Sequence, residues 1–459
     1  MVEKTQAFKD QGGIATMDPS VFRRWLISKV MTRLASEERM VAQRRKAEAR
    51  RQKQGGAHLV EYFHQVDDGY SHLACQVLED FVDRYDIELK IYLVTAPVGA
   101  NAAEPELALQ LGLKDAQAIA PFLNLSFPDT ARIPEQKAVE LAQRIIAAQT
   151  DASILLCLAK VSDALWRDDT SALQALADKF GSASTKLTEM KLVQGNDRRE
   201  KLQHYAGAMF YYAGEWYWGV DRLYHLEERL HALGTDKQSE QTYLAAKPKI
   251  EVNKAEVNAE LTLEIYASLR SPYTAIVFDR AVKLAKDAGI NYVVRPVLPM
   301  VMRGVPATKE KGFYILFDTA REARAEGVPY GNVKDPIGQP ARHGYALFQW
   351  AREQNKGIAF FSNFLSAAFA LGVNTNRESG LKTVVENTGL DWQQARQHLT
   401  DKSWESELED NRLTMYDSGL WGVPSFRLLD AQGNEVISAW GQDRLWLIAQ
   451  YLHADSGTT

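Results

Sequence analysis

Apolar positions along this chain alternate between a period of two and a period near four, and the alternation occurs twice in the same order. The stretch "HLVEYFHQ" (58–65) is short and rich in Val, Tyr and Phe, which predicts a strand. After the break "DDGYS", Leu73, Val77, Leu78 and Phe81 share one helical face, and "IELKIYLVT" again reads as a strand. Some two hundred residues later "LTLEIYASL" predicts a strand, "RSPYT" a break, "AIVFDRAVKLAKDAG" a helix and "INYVVRPVL" a strand. Phe63 and Tyr266, Tyr70 and Tyr273, and Leu73 and Ile276 are each separated by 203 residues. One offset held through strand, turn and helix marks an internal repeat. The two halves also close alike, on Trp-Gly-x-Asp-Arg-Leu at Trp218–Leu223 and Trp440–Leu445.

These patterns divide the chain into a basic helical segment (1–56), a first domain (57–234), a polar linker (235–259) and a second domain (260–454). Each domain has a strand-helix-strand half, a long helical middle, then a hairpin and a final helix. In the basic segment Phe22, Trp25, Leu26, Val30 and Leu34 fit helical spacing. A solvated leader is the favoured reading. A helix docked on its own protein or a partner, and a basic helix on an anionic membrane surface, are the alternatives.

Composition narrows the function. The chain has 459 residues, 46% apolar and 25% charged, with a formal net charge of −5, which argues against a general nucleic-acid binder. Cys75 and Cys157 form no CxxC or zinc pattern, and the nine histidines show no metal-ligand spacing. No apolar run is long enough to span a bilayer and no signal peptide is evident, so a cytoplasmic location is expected.

Candidate chemistry gathers in the second domain. The first element is Ser271-Pro272-Tyr273-Thr274 at a strand-to-helix junction. The second is Lys311-Gly312-x-Tyr314 with Asp318. The third is Gly422-Val423-Pro424-Ser425-Phe426, with Gln442-Asp443 behind it. Taken in order, these elements resemble the DsbA-like branch of the thioredoxin superfamily, and more narrowly 2-hydroxychromene-2-carboxylate isomerase and kappa-class glutathione transferase. The fold this implies is α/β, two thioredoxin-like domains each carrying a helical insertion.

In redox members of that superfamily the helix opens with CxxC; here Ser271 and Thr274 fill the cysteine positions, so no dithiol-disulfide cycle is available. A helix N-terminus with exposed N–H groups remains, and it favours an anion. Ser271 is also a good N-cap and Pro272 a good first helical residue, which would explain both without any chemistry. The resemblance implies that glutathione is the cofactor. Ser271 would hold its thiolate, Val423 before a cis Pro424 would pair with its cysteinyl part, and Gln442-Asp443 with its γ-glutamyl end. Lys311 would contact its glycyl end. Tyr273 and Tyr314, with Phe313, Phe317 and "FFSNF", would face a small-molecule substrate.

The implied activity is glutathione-dependent isomerisation or transfer on an aromatic or enone acid. The alternative is a redox-inactive tandem module that binds a protein partner. A homodimer, or an intramolecular pseudo-dimer of the two repeats, follows from the same resemblance. The first domain departs from the pattern, with Asp68 at the serine position and Ala208 opposite Pro424. A carboxylate there would repel a thiolate.

Overall fold

The computed structural model describes residues 18–238, 242–254, 256–305 and 307–453. It divides into two compact units, Val41–Pro248 and a second made of Met1–Met40 with Lys249–Thr459. The unit boundaries thus fall inside the basic segment, at residue 40, and inside the expected linker, at residue 248.

Each unit is built on a four-stranded mixed sheet. In the Val41–Pro248 unit, β1 (Leu59–Gln65), β2 (Glu88–Val94), β3 (Met209–Tyr212) and β4 (Glu215–Trp218) lie in the order β2-β1-β3-β4. In the other, β5 (Thr262–Ala267), β6 (Asn291–Pro296), β7 (Ser425–Leu429) and β8 (Glu435–Trp440) lie in the order β6-β5-β7-β8. Registers agree as well as orders. Leu59 stands opposite Glu88 and Thr262 opposite Asn291, while Tyr62 faces Phe210 and Ile265 faces Phe426.

The first two strands of each sheet run parallel, so a crossover must join them. In the second unit this is the single helix Pro272–Ala288, stopped by Gly289 at φ +77°. In the first unit the expected single helix is two short ones, Gly69–Gln76 and Leu78–Arg84. The middle strand of each sheet is buried over nearly its whole length, and each carries a buried glutamate at the same place. Glu61 pairs with Arg198 at 2.7 Å, and Glu264 with Arg295 at 2.6 Å and Arg427 at 2.8 Å. A buried carboxylate is tolerated because guanidinium forks replace its water.

The segment expected to be a solvated leader is partly docked. The helix Val21–Ala35 packs Met31, Leu34 and Ala35 against Leu316 and Ala320 of the helix Lys309–Ala325 and against Tyr330. Thr32 Oγ1 accepts from Val333 N at 3.1 Å, and the Arg24 guanidinium donates to Ile337 O at 2.6 Å. The apolar spacing misleads about the face: of the five residues it selects, only Leu34 turns inward, while Phe22, Trp25, Leu26 and Val30 are exposed. The polar tract after residue 234 is likewise held at its start, where Asp236 pairs with Arg84 at 2.8 Å with both side chains buried.

Candidate functional site

The junction "SLRSPYT" is held from several sides. Ser271 is the N-cap of Pro272–Ala288, and its Oγ accepts from Thr274 N at 3.1 Å. The same hydroxyl donates to the carbonyl of Val423, 152 residues along the chain, at 3.3 Å. Beneath the turn, the buried Tyr345 hydroxyl donates to Val297 O at 2.9 Å, accepts from Leu269 N at 3.2 Å and lies 3.2 Å from Ser268 Oγ. Arg270 forks onto Asp335 with two bonds of 2.8 Å. Nothing in the local sequence singles out Tyr345 or Asp335; both come from the helical insertion, and only folding brings them under the turn.

On the facing side the Val423–Pro424 peptide is cis, and Gly441 N donates to Pro424 O at 3.0 Å. Gly422 is required there, because a Cβ at that position would lie 2.7 Å from Trp440 Nε1. Gln442 is buried and donates through Nε2 to the buried Glu322 at 2.7 Å, while its buried Oε1 has no hydrogen-bond partner among the described residues. Asp443 precedes the final helix Leu445–Gln450 but is not its cap, a position held by Arg444; Arg222 holds the matching place before Leu223–Ala232.

Lys311, in the first turn of Lys309–Ala325, has no anionic partner among the described residues. Its ammonium stands 5.5 Å from the Trp421 ring centroid, and burial lowers its pKa. Trp421 was not singled out by the sequence; its ring also lies 5.2 Å from that of Trp440, tilted by 36°. Ser271, Val423 and Pro424 are thus brought together by direct contact, Gln442 is tied to the Lys309–Ala325 helix, and Lys311 lies at that helix's start.

The residues named for the substrate sit differently. The Tyr273 hydroxyl donates to Asp318 at 2.8 Å, and Asp318 also accepts from Arg321 at 2.6 Å. Tyr70 makes the same bond to Asp115 at 2.9 Å in the first unit. A contact kept in the domain that lacks the serine and the proline belongs to the fold, joining the crossover helix to the insertion. Tyr314 is buried, and Phe360, Phe361 and Phe364 of "FFSNF" are core, because that helix packs on the crossover helix. Phe317 is 41% exposed.

In the first unit the corresponding slot is filled. Asp68 caps Gly69–Gln76, accepting from Ser71 N at 2.9 Å and from Ser71 Oγ at 2.8 Å. Gly207 stands where the other domain has Val423, and a Cβ there would meet Gln65 Cβ at 2.5 Å. Ala208, at φ +53°, replaces the cis proline. Burial raises the Asp68 pKa to about 6 against the bonds from Ser71 that lower it. The folded protein therefore holds this proton above the unfolded carboxyl's range near 4. Stability from this group is fully present below that range and lost as pH rises through 6. Allowing for its part-buried position, wild type should lose about 1–2 kcal/mol between pH 4.5 and 7.5 from this group alone. Asp68→Asn keeps a cap and should not show that loss; urea unfolding of both proteins at the two pH values decides, and identical losses would remove Asp68 as the cause.

Both cysteines are buried, and burial raises Cys75 to about 12 and Cys157 to about 11. They are packed thiols, since reactivity needs the thiolate. Among the described residues no cluster of His, Cys, Asp and Glu could hold a metal ion, and no helix is long and apolar enough to cross a membrane.

The chain shows low-identity likeness to several solved structures. A 2-hydroxychromene-2-carboxylate isomerase is 21% identical, over 41% of this chain and 93% of that one, with a TM-score of 0.35. A probable DsbA oxidoreductase from Streptomyces coelicolor is 18% identical, over 42% and 89%, with a TM-score of 0.32. The cytosolic disulfide reductase DsbM from Pseudomonas aeruginosa is 17% identical, over 41% and 95%, with a TM-score of 0.32. A comparison with curated proteins finds no match. The family model for the DSBA-like thioredoxin domain matches residues 262–453, the span from β5 through the final helix. Residues 262–453 of this chain are a DSBA-like thioredoxin domain.

Proposed function

We propose that this domain binds glutathione and uses it as a thiol cofactor, in an isomerase or transferase acting on an aromatic or enone acid. The observation that carries the reading is the Ser271 hydroxyl at the helix tip, 3.3 Å from the carbonyl that precedes cis Pro424. Rotating that hydroxyl off Val423 O frees a donor for a sulfur anion and, at once, an acceptor for a peptide N–H. A helix N-terminus favours the anion, and strand-like pairing along Val423 suits an extended peptide. The remaining groups fit the tripeptide's two charged ends. Among the described residues Lys311 is a cation without a carboxylate partner and Gln442 Oε1 a buried acceptor without a donor, and Asp443 follows Gln442 in the chain. Glutathione, when bound, supplies a thiolate that can add to an activated double bond and leave again. The chain's part is to hold that sulfur ionised and to orient it; the second domain's missing cysteines rule out a CxxC cycle of its own.

The first unit favours a second reading for that half alone. With Gln65 against Gly207 and Asp68 at the helix tip, it serves as a redox-inactive binding or packing domain, the degenerate half of a tandem repeat. The direct test is a thermal shift with millimolar glutathione, repeated with Lys311→Met. Wild type should be stabilised, and the variant should need about tenfold more ligand, as expected when a carboxylate loses a partly buried cation. No shift for wild type at any glutathione concentration would sink the glutathione reading and leave the binding-module reading for both halves.

A further inference from the structure

The helix Val21–Ala35 has two apolar sides. One is used, by Met31, Leu34 and Ala35 on the Lys309–Ala325 helix. The other presents Val21, Phe22, Trp25, Leu26 and Val30, of which Phe22 is 70% and Trp25 51% exposed, with their rings stacked 6.0 Å apart. Such a row of large side chains, on a helix already anchored by its opposite side, is more than scattered surface apolarity. Arg23, Lys29 and Arg33 are exposed among these residues, and the helix contains no acidic residue. Residues 18–54 together carry eleven Lys and Arg against four Asp and Glu, in a chain whose net charge is −5.

We propose that this outward face seats the protein on an anionic lipid surface. Charge decides the occupant. A second copy meeting this face through the same face would set Arg23, Lys29 and Arg33 against their own kind with no carboxylate to separate them. A bilayer surface rich in acidic headgroups offers phosphates to the cations and the acyl boundary to Phe22, Trp25 and Leu26, and a Trp beside basic residues suits that boundary. The helix does not need lipid in order to fold, because its inner side is already packed.

The test is cosedimentation of the full chain with vesicles of pure phosphatidylcholine, and with vesicles of three parts phosphatidylcholine to one part phosphatidylglycerol. Binding is expected to the mixed vesicles only, with a blue shift of tryptophan emission that Trp25→Ser abolishes. Raised salt, or the triple variant Arg23→Glu, Lys29→Glu, Arg33→Glu, should weaken binding at least tenfold. All these positions are exposed, and unchanged circular dichroism and melting would confirm that the variants fold. Equal binding to both vesicle types, or none to the mixed vesicles at low salt, overturns the proposal. So does a dimer in light scattering that Phe22→Ser with Trp25→Ser splits, which would assign the face to a second copy.

Discussion

Replacing Ser271 with alanine should lower glutathione-dependent turnover about a hundredfold at neutral pH, the scale on which one preorganised donor to a developing or resting anion acts. The thiolate absorbance of bound glutathione should also move to higher pH, since the sulfur loses a hydrogen bond made to its charged form. The same substitution removes a helix cap, worth about 1 kcal/mol, because Ser271 Oγ accepts from Thr274 N. Two further variants separate the roles. Ser271→Asn restores a good cap without a hydroxyl, and Ser271→Thr keeps both. If the hydroxyl serves the sulfur, Asn recovers stability but neither activity nor the thiolate titration, while Thr recovers all three. Full activity in Ser271→Asn would reduce the serine to a cap.

Gly195→Ala should be the most damaging small substitution in the first unit. Gly195 lies in the helix Thr185–Lys201, where that helix crosses β2. An ideal Cβ there would stand 2.0 Å from Leu93 O and 3.2 Å from Val94 Cγ1. A backbone carbonyl cannot swing aside as a side chain can, so helix or strand must shift, at a cost of about 3 kcal/mol. For a unit of this size that lowers its melting by about 6–12 °C. Calorimetry can read this as a fall of one transition; an unmoved transition would mean that the helix does not lie on β2 this closely.

The strand-helix-strand pattern of each half was legible because its evidence is periodic and local. Strands, crossover and closing hairpin all follow from alternation and turn residues, and the 203-residue offset reappears in the registers of Leu59 with Glu88 and Thr262 with Asn291. The missing cysteines were equally plain, since redox chemistry needs thiols at two particular places. The cap role of Ser271 also followed from residue type alone.

Other features depend on contacts between segments far apart in the chain, and no local pattern encodes them. Tyr273 and Asp318 stand 45 residues apart, and only the separate, matching bond of Tyr70 to Asp115 shows that the tyrosine ties helices together. Gln65 fills the first unit's slot because Gly207 leaves room for it, a fit between residues on different elements. The outward turn of Phe22 and Trp25 was decided in the same way. A helix with apolar residues all round can bury only one side, and the chain packs Leu34 and Ala35 on the insertion helix instead. Sequence by itself determined the elements, their order and the absence of a CxxC pair, because these depend on residue type and period. Tertiary structure decided which side chains are available to act, because availability is set by what packs against each of them.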